Sequence, residues 1–224
     1  MQSWKDHHPD WDYTLYDNDY LVSRRFRTQA VITEYFRQGE YAGVADLMRY
    51  EILLEHGGFI PEADSICMRP IDELCASPYP FTCYEIDPEV CDDLGMSRKK
   101  GLMCPILASP QGHYVLDRLI SEIATNTPIK ALPRPWKGSG NFRLRKFFHR
   151  NPDLAKHLTV HPAHYFVPQH FRGWIYAGPD EPFCKQLWGT TGHVYVENEE
   201  QKRDAAHMQE VKENVLAQLE AKLP

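Results

Sequence analysis

The chain has no apolar run near the roughly 20 residues that a bilayer-crossing helix needs, and Met1 is followed by the polar stretch QSWKDHHPDWD rather than a signal-peptide core. A cytoplasmic protein without a transmembrane segment is expected. A long basic run is also missing: 25 Lys and Arg stand against 31 Asp and Glu, giving a net charge of -6 and a pI near 6.0, which argues against nucleic acid as a partner. The six cysteines, at 67, 75, 83, 91, 104 and 184, contain no C-x-x-C pair, so neither a zinc knuckle nor a thioredoxin-like redox motif is supported. Four of them recur every eight residues, but the residues around them do not repeat. Reduced, mostly buried thiols are therefore expected. There is no H-E-x-x-H motif, and KGSGN lacks the G-K-[ST] ending of a P-loop, so its glycines read as a turn.

What is present is an ordinary globular composition, 42% hydrophobic and 12% aromatic over 224 residues, long enough for one sizeable core. The spacing predicts a short strand at YTLY, a helix over about 19–37 closed by Gly39, and a second helix from Tyr41 that stops at Gly57-Gly58. Phe59-Ile60 reads as a strand end, Pro61 begins a loop, and Ser65–Met68 resumes as a strand. FTCYEI and GLMCPILAS follow as strands, HYVLDRLISEIATN as an amphipathic helix, PIKALPRPWKGSGN as an exposed loop, and NFRLRKFFHR as a helix with a basic face. The last 26 residues, 199–224, read as a C-terminal amphipathic helix appended to a domain over 1–198. Strands alternating with helices give an α/β fold with a mixed, mostly parallel sheet flanked by helices, whose ligand would sit at the carboxyl ends of the strands, by Pro61 to Asp64.

Glu62 and Asp64 are two residues apart, so in an extended loop both carboxylates point the same way and can share a hard cation such as magnesium or manganese. Most acidic pairs in surface loops are simply solvated. Asp46 and Arg49, three residues apart on one face of the preceding helix, suit sugar hydroxyls and phosphate, although an i,i+3 salt bridge accounts for that spacing equally well. His157, His161, His164 and His170 form a rival cluster with one four-residue spacing suited to zinc on a helix, but Pro162 interrupts that helix. Arg143, Arg145 and Lys146 read as a solvated basic face or a contact to an anionic ligand.

The segment ADLMRYEILLEHGGFIPEADSICMRPIDEL resembles the sugar-binding DXD region of GT-A glycosyltransferases. The similar family includes the initiating α-mannosyltransferases of fungi, bacterial capsule and polysaccharide transferases and, more distantly, the large clostridial glucosylating toxins. Its form, A-D-x-x-R-Y-x-x-L-x-x-x-G-G-x-Y-x-D-x-D, is matched in spacing throughout. SWKDHHPDWDYTLYDND and ILASPQGHYVLDRLI resemble flanking segments of the same family, so the likeness runs over residues 3–123. The chain departs from it in carrying Glu62 for the first Asp and Ile60 for an aromatic ring, and the family's I-P-K-I-I-H-Q-I-W strand does not precede SW.

The resemblance implies a GT-A-like fold lacking its first strand, and a transferase that moves a sugar from a nucleotide-sugar donor, with retention, to a carbohydrate, lipid-linked or protein acceptor. It implies donor-sugar contacts at Asp46, Arg49 and Glu62, a Mn2+ or Mg2+ ion on Asp64 with Glu62, and nucleotide or diphosphate contacts at Trp188 and His193. No catalytic nucleophile or base is nominated. A polysaccharide-biosynthesis role belongs to the same expectation, and its alternative is a catalytically degraded sugar- or nucleotide-sugar-binding protein of the same fold. The loop at Pro133 to Asn141 is expected to act as a lid.

Overall fold

A computed structural model describes residues 1–91, 95, 101–188 and 205–223. Its framework is α4 (Tyr41–His56), the helix read from the sequence, which buries Val44, Leu47, Tyr50 and Leu53 along one side. Leu53 O caps it through Gly57 N–H, and Gly57 turns the chain with φ 71°. A side chain here would be strained by that φ, and its Cβ would come within 2.7 Å of Gln111 N. The glycine stop is therefore dictated twice, by conformation and by the close pass of residues 109–111.

Around α4 pack α2 (Asn18–Ser23), α3 (Gln29–Arg37), α7 (Tyr114–Asn126) and α9 (Asn141–Arg150), joined by a C-terminal helix, α11 (Ala205–Glu220). Val215 and Leu219 of α11 are buried among them, and Gln29 Nε2 donates to Leu219 O. The remaining helices are short: α1 (Gln2–His7), α5 (Asp72–Cys75), α6 (Pro88–Cys91), α8 (Pro135–Gly138) and α10 (Pro152–Ala155).

Four strands form the main sheet, β1 (Gly58–Phe59), β3 (Phe81–Cys83), β4 (Ala108–Ser109) and β5 (Thr159–His161), in the order β1-β4-β3-β5. A second ladder pairs β2 (Ser65–Cys67) with β6 (Cys184–Gln186). Side chains of β3 divide between two cores, as strand alternation requires. Phe81 and Cys83 join a cluster with Trp4, Phe166 and Phe183, whereas Tyr84, just beyond the strand, packs against the helical core.

The α/β character is as expected, but the mostly parallel sheet is not. Among the described residues only β3–β5 is a parallel ladder, because β4 runs against β1 and β3 from between them. Strands β1, β3 and β5 still point the same way, so their carboxyl ends share one edge. YTLY forms no strand: Tyr13 spends its hydroxyl on Trp4 O and His8 O, and Leu15 is 75% exposed. The single helix expected over 19–37 is two helices, since the buried Glu51 carboxylate takes the N–H groups of Arg27 and Thr28 and starts α3 afresh. All six cysteines are thiols without disulfides, with Cys67, Cys83, Cys91 and Cys184 buried.

Candidate functional site

At the carboxyl edge of β1 the chain passes through Ile60 and Pro61 into a tight turn, closed by Ser65 N–H donating to Glu62 O at 3.1 Å and by Ser65 Oγ donating to the same oxygen at 2.6 Å. Trp4 Nε1 donates to that Ser65 hydroxyl, and the neighbouring Ser3 Oγ accepts from Cys67 N–H. The entry helix α1 thus anchors the turn from behind. His8 completes the anchor: Nδ1 donates to Trp4 O, which leaves Nε2 to accept from Ile71 N–H at 2.9 Å. The segment is therefore not the extended loop expected from E-x-D spacing.

Arg49 reaches from α4 into this turn. Its Nη1 donates to Ile60 O at 3.1 Å and its Nη2 pairs with Glu62 Oε1 at 2.9 Å, while its Nε–H has no partner among the described residues. With Arg49 only 7% exposed, an unpartnered N–H is costly. The i,i+3 alternative for Asp46 and Arg49 fails, because the arginine's ion pair is with Glu62 and Asp46 turns to Ser139 instead.

Asp46 Oδ2 accepts from Ser139 Oγ at 2.8 Å. Burial pushes the Asp46 carboxyl up to about 7, and nearby Glu62 adds to that rise, while Arg49 and the Ser139 hydroxyl work against it. The close approach depends on Gly140, where a Cβ would lie 3.1 Å from Asp46 Oδ2 and 3.3 Å from Trp136 Cα.

The β2–β6 ladder brings a distant segment to the same place. Leu187 N–H donates to Asp64 O at 2.9 Å, extending the ladder by one bond and setting Trp188 beside the carboxylate turn. Trp188 holds a φ of 54°, uncommon for a bulky residue, and its indole N–H donates to Gln169 O at 2.7 Å. Its ring meets His170 and Phe171 edge-on at 5.2 and 5.1 Å. Arg49 and Glu62 thus pair directly, Asp64 bonds through its backbone to the residue before Trp188, and Asp46 bonds to Ser139, whereas His193 lies outside the described residues.

These contacts bring in residues that no spacing singled out. Beyond the end of β3, buried Glu85 accepts from Asn141 Nδ2 at 2.7 Å and meets His170 Nε2 at 3.1 Å. The only sequence sign of Glu85 is its place at a strand end, and Ser139 and Asn141 sat in what read as a glycine turn. The stretch expected to act as a lid, Pro133 to Asn141, is hydrogen-bonded to the helices beside it in this structure. Tyr35 OH donates to Pro133 O, Tyr50 OH to Ser139 O and Arg143 Nε to Gly138 O, each at 2.9 Å. Burial pushes the Tyr35 phenol up to about 12, so it remains a neutral donor.

The zinc alternative does not assemble. His157 follows α10 and His161 lies in β5, so no helix carries the pair; His164 stacks on Tyr176 at 3.9 Å and His170 belongs to Glu85. Among the described residues no three His, Cys, Asp or Glu side chains converge as a metal cage.

Residues 1–80 match the glycosyltransferase sugar-binding region containing DXD motif. No curated protein and no solved structure matches the chain. The matched residues include α1, α4, the Glu62 to Asp64 turn, β2 and α5. They end before ILASPQGHYVLDRLI, so the likeness noted there is not part of the match. Within the matched residues Trp4 supports the turn through Ser65, and Gly57 admits residues 109–111 against the end of α4. No helix among the described residues is long and apolar enough to cross a membrane.

Proposed function

We propose that this protein is a metal-dependent glycosyltransferase that moves a sugar from a nucleoside diphosphate sugar to an acceptor, using Asp46, Arg49 and Glu62 toward the sugar and Asp64 with Glu62 toward a divalent cation. The observation that carries this proposal is Arg49, a buried guanidinium aimed at the carboxylate turn with one N–H unpartnered among the described residues. Such a donor suits a sugar hydroxyl or a diphosphate oxygen.

The donor chemistry of the turn fits a hard cation. Magnesium and manganese accept one or two carboxylates and complete their shell with water and substrate phosphates, so a three-residue cage is not required. Asp64 would hold the ion, with Glu62 assisting through the oxygen not paired to Arg49. When bound, the cation neutralises the leaving diphosphate. Arg49 holds Glu62 and Ile60 O in place, so the turn cannot swing away from the donor. Asp46, fixed by Ser139, would accept a hydrogen bond from a sugar hydroxyl and orient the ring. The Trp188 indole, with its N–H already committed to Gln169 O, offers only its π surface, suited to stacking on a sugar or base. The Arg49 guanidinium is buried, and away from bulk water electrostatic stabilisation of the transferring sugar acts most strongly. Retention of anomeric configuration and a saccharide, lipid-linked or protein acceptor accompany the proposal.

Asp64→Ala should abolish manganese-stimulated turnover of a nucleotide sugar while circular dichroism and thermal unfolding stay near those of the parent chain. Undiminished turnover would overturn the proposal. Calorimetry with UDP- and GDP-sugars and manganese separates the catalytically degraded alternative, which binds donor without consuming it.

A further inference from the structure

Glu85 links the two walls of the candidate site. On one side Asn141, the first residue of α9, donates Nδ2–H to Glu85 Oε2 at 2.7 Å, and two residues earlier Ser139 holds Asp46. On the other side His170 Nε2 lies 3.1 Å from Glu85 Oε1 and its ring supports Trp188, next to the bond from Leu187 to Asp64 O. The circuit closes at the far end through Arg49, which ties α4 to Glu62.

The protonation of this relay follows from its partners. Arg172 N–H, which can only donate, faces His170 Nδ1 at 3.2 Å, so Nδ1 accepts and the ring proton sits on Nε2, directed at Glu85. Glu85 therefore receives a donor on each oxygen. Glu85 and His170 are both buried, at 6% and 1% exposure, where a lost partner is expensive. The pieces so joined are far apart in sequence: strand end, helix start and a loop 85 residues on.

We propose that Glu85 is a positioning residue that sets the separation between the Asp46 wall and the Trp188 wall, and hence the fit of the donor's sugar, without itself touching substrate. This rests on the glycosyltransferase proposal above. It assigns Asn141 and His170 as the two arms, and predicts that loosening either arm costs sugar recognition and spares the diphosphate and cation, whose carboxylate Asp64 is held by the turn.

The test is calorimetry with manganese on the parent chain, Glu85→Gln and Asn141→Ala, using UDP-glucose or GDP-mannose, whichever the parent binds, and the matching free diphosphate. A glutamine has one acceptor oxygen and cannot serve both arms. Each variant should bind the sugar nucleotide about tenfold more weakly and the free diphosphate within about twofold of the parent. Equal weakening of both ligands, or no weakening of either, overturns the positioning role. If Glu85→Gln does not fold, Asn141→Ala decides, because its side chain is only half-buried and removes one arm alone. A parent that binds neither ligand instead refutes the glycosyltransferase proposal, and the positioning role with it.

Discussion

Asp46 is the residue whose chemistry and stability pull in opposite directions. Its carboxyl ordinarily titrates near 3.8 and is pushed to about 7 in the fold, first by burial and then by Glu62. A folded pKa above the unfolded one means that the native state binds the proton more tightly, so this group's contribution is complete below about pH 4 and is lost as pH rises to about 7. Asp46→Asn keeps an acceptor for the Ser139 hydroxyl and removes the buried charge. The variant should melt higher than the parent at pH 8 and match it near pH 4, as read by thermal unfolding across that range, while losing donor turnover. A parent whose melting point relative to the variant does not change with pH would refute this assignment. Asp46 and Arg49 were picked out by their spacing in A-D-L-M-R-Y. Their partners were not, because Ser139 and Glu62 are chosen by packing, and i,i+3 spacing alone favours the salt bridge that does not form.

Among the elements, α4 and its glycine stop, α7 and α9 followed from apolar spacing and capping signals carried within each segment. The misread elements are those whose fate depends on a distant partner. YTLY has strand composition, but a strand needs a neighbour to receive its backbone bonds, and β1 pairs with β4 alone among the described residues. GLMCPILAS keeps only Ala108–Ser109 as strand, since Pro105 cannot donate and Thr82 Oγ1 occupies Cys104 O and Pro105 O. The start of α3 is set from α4, where the two oxygens of Glu51 take Arg27 N–H, Thr28 N–H and Thr28 Oγ–H at 2.7 to 2.9 Å. Glu51→Ala should therefore destabilise the protein by about 2–4 kcal/mol, since it strands buried donors at a helix N-terminus. Urea unfolding measures this, and a loss under about 0.5 kcal/mol would show that water replaces the cap.

For the whole molecule, the carboxyl edge shared by β1, β3 and β5 gathers the candidate site, with the helical core behind α4 on one side and the aromatic cluster around Phe81 on the other. The placement at strand ends was legible from alternating strands and helices. The direction of β4 was not, because a two-residue strand carries no sign of its partner's polarity. The candidate site draws on three regions: the family-matched residues 1–80, the Ser139 to Asn141 turn and the segment from Gln169 to Trp188. Only the first carries a family pattern, so a functional test must engage all three at once. The most direct is hydrolysis of UDP- and GDP-hexoses by the intact protein with manganese and again with excess EDTA. Release of free sugar with one donor, stimulated by manganese and abolished by the chelator, is the predicted result. Release that is undiminished in EDTA, or no release and no binding of any donor, would contradict a metal-dependent glycosyltransferase.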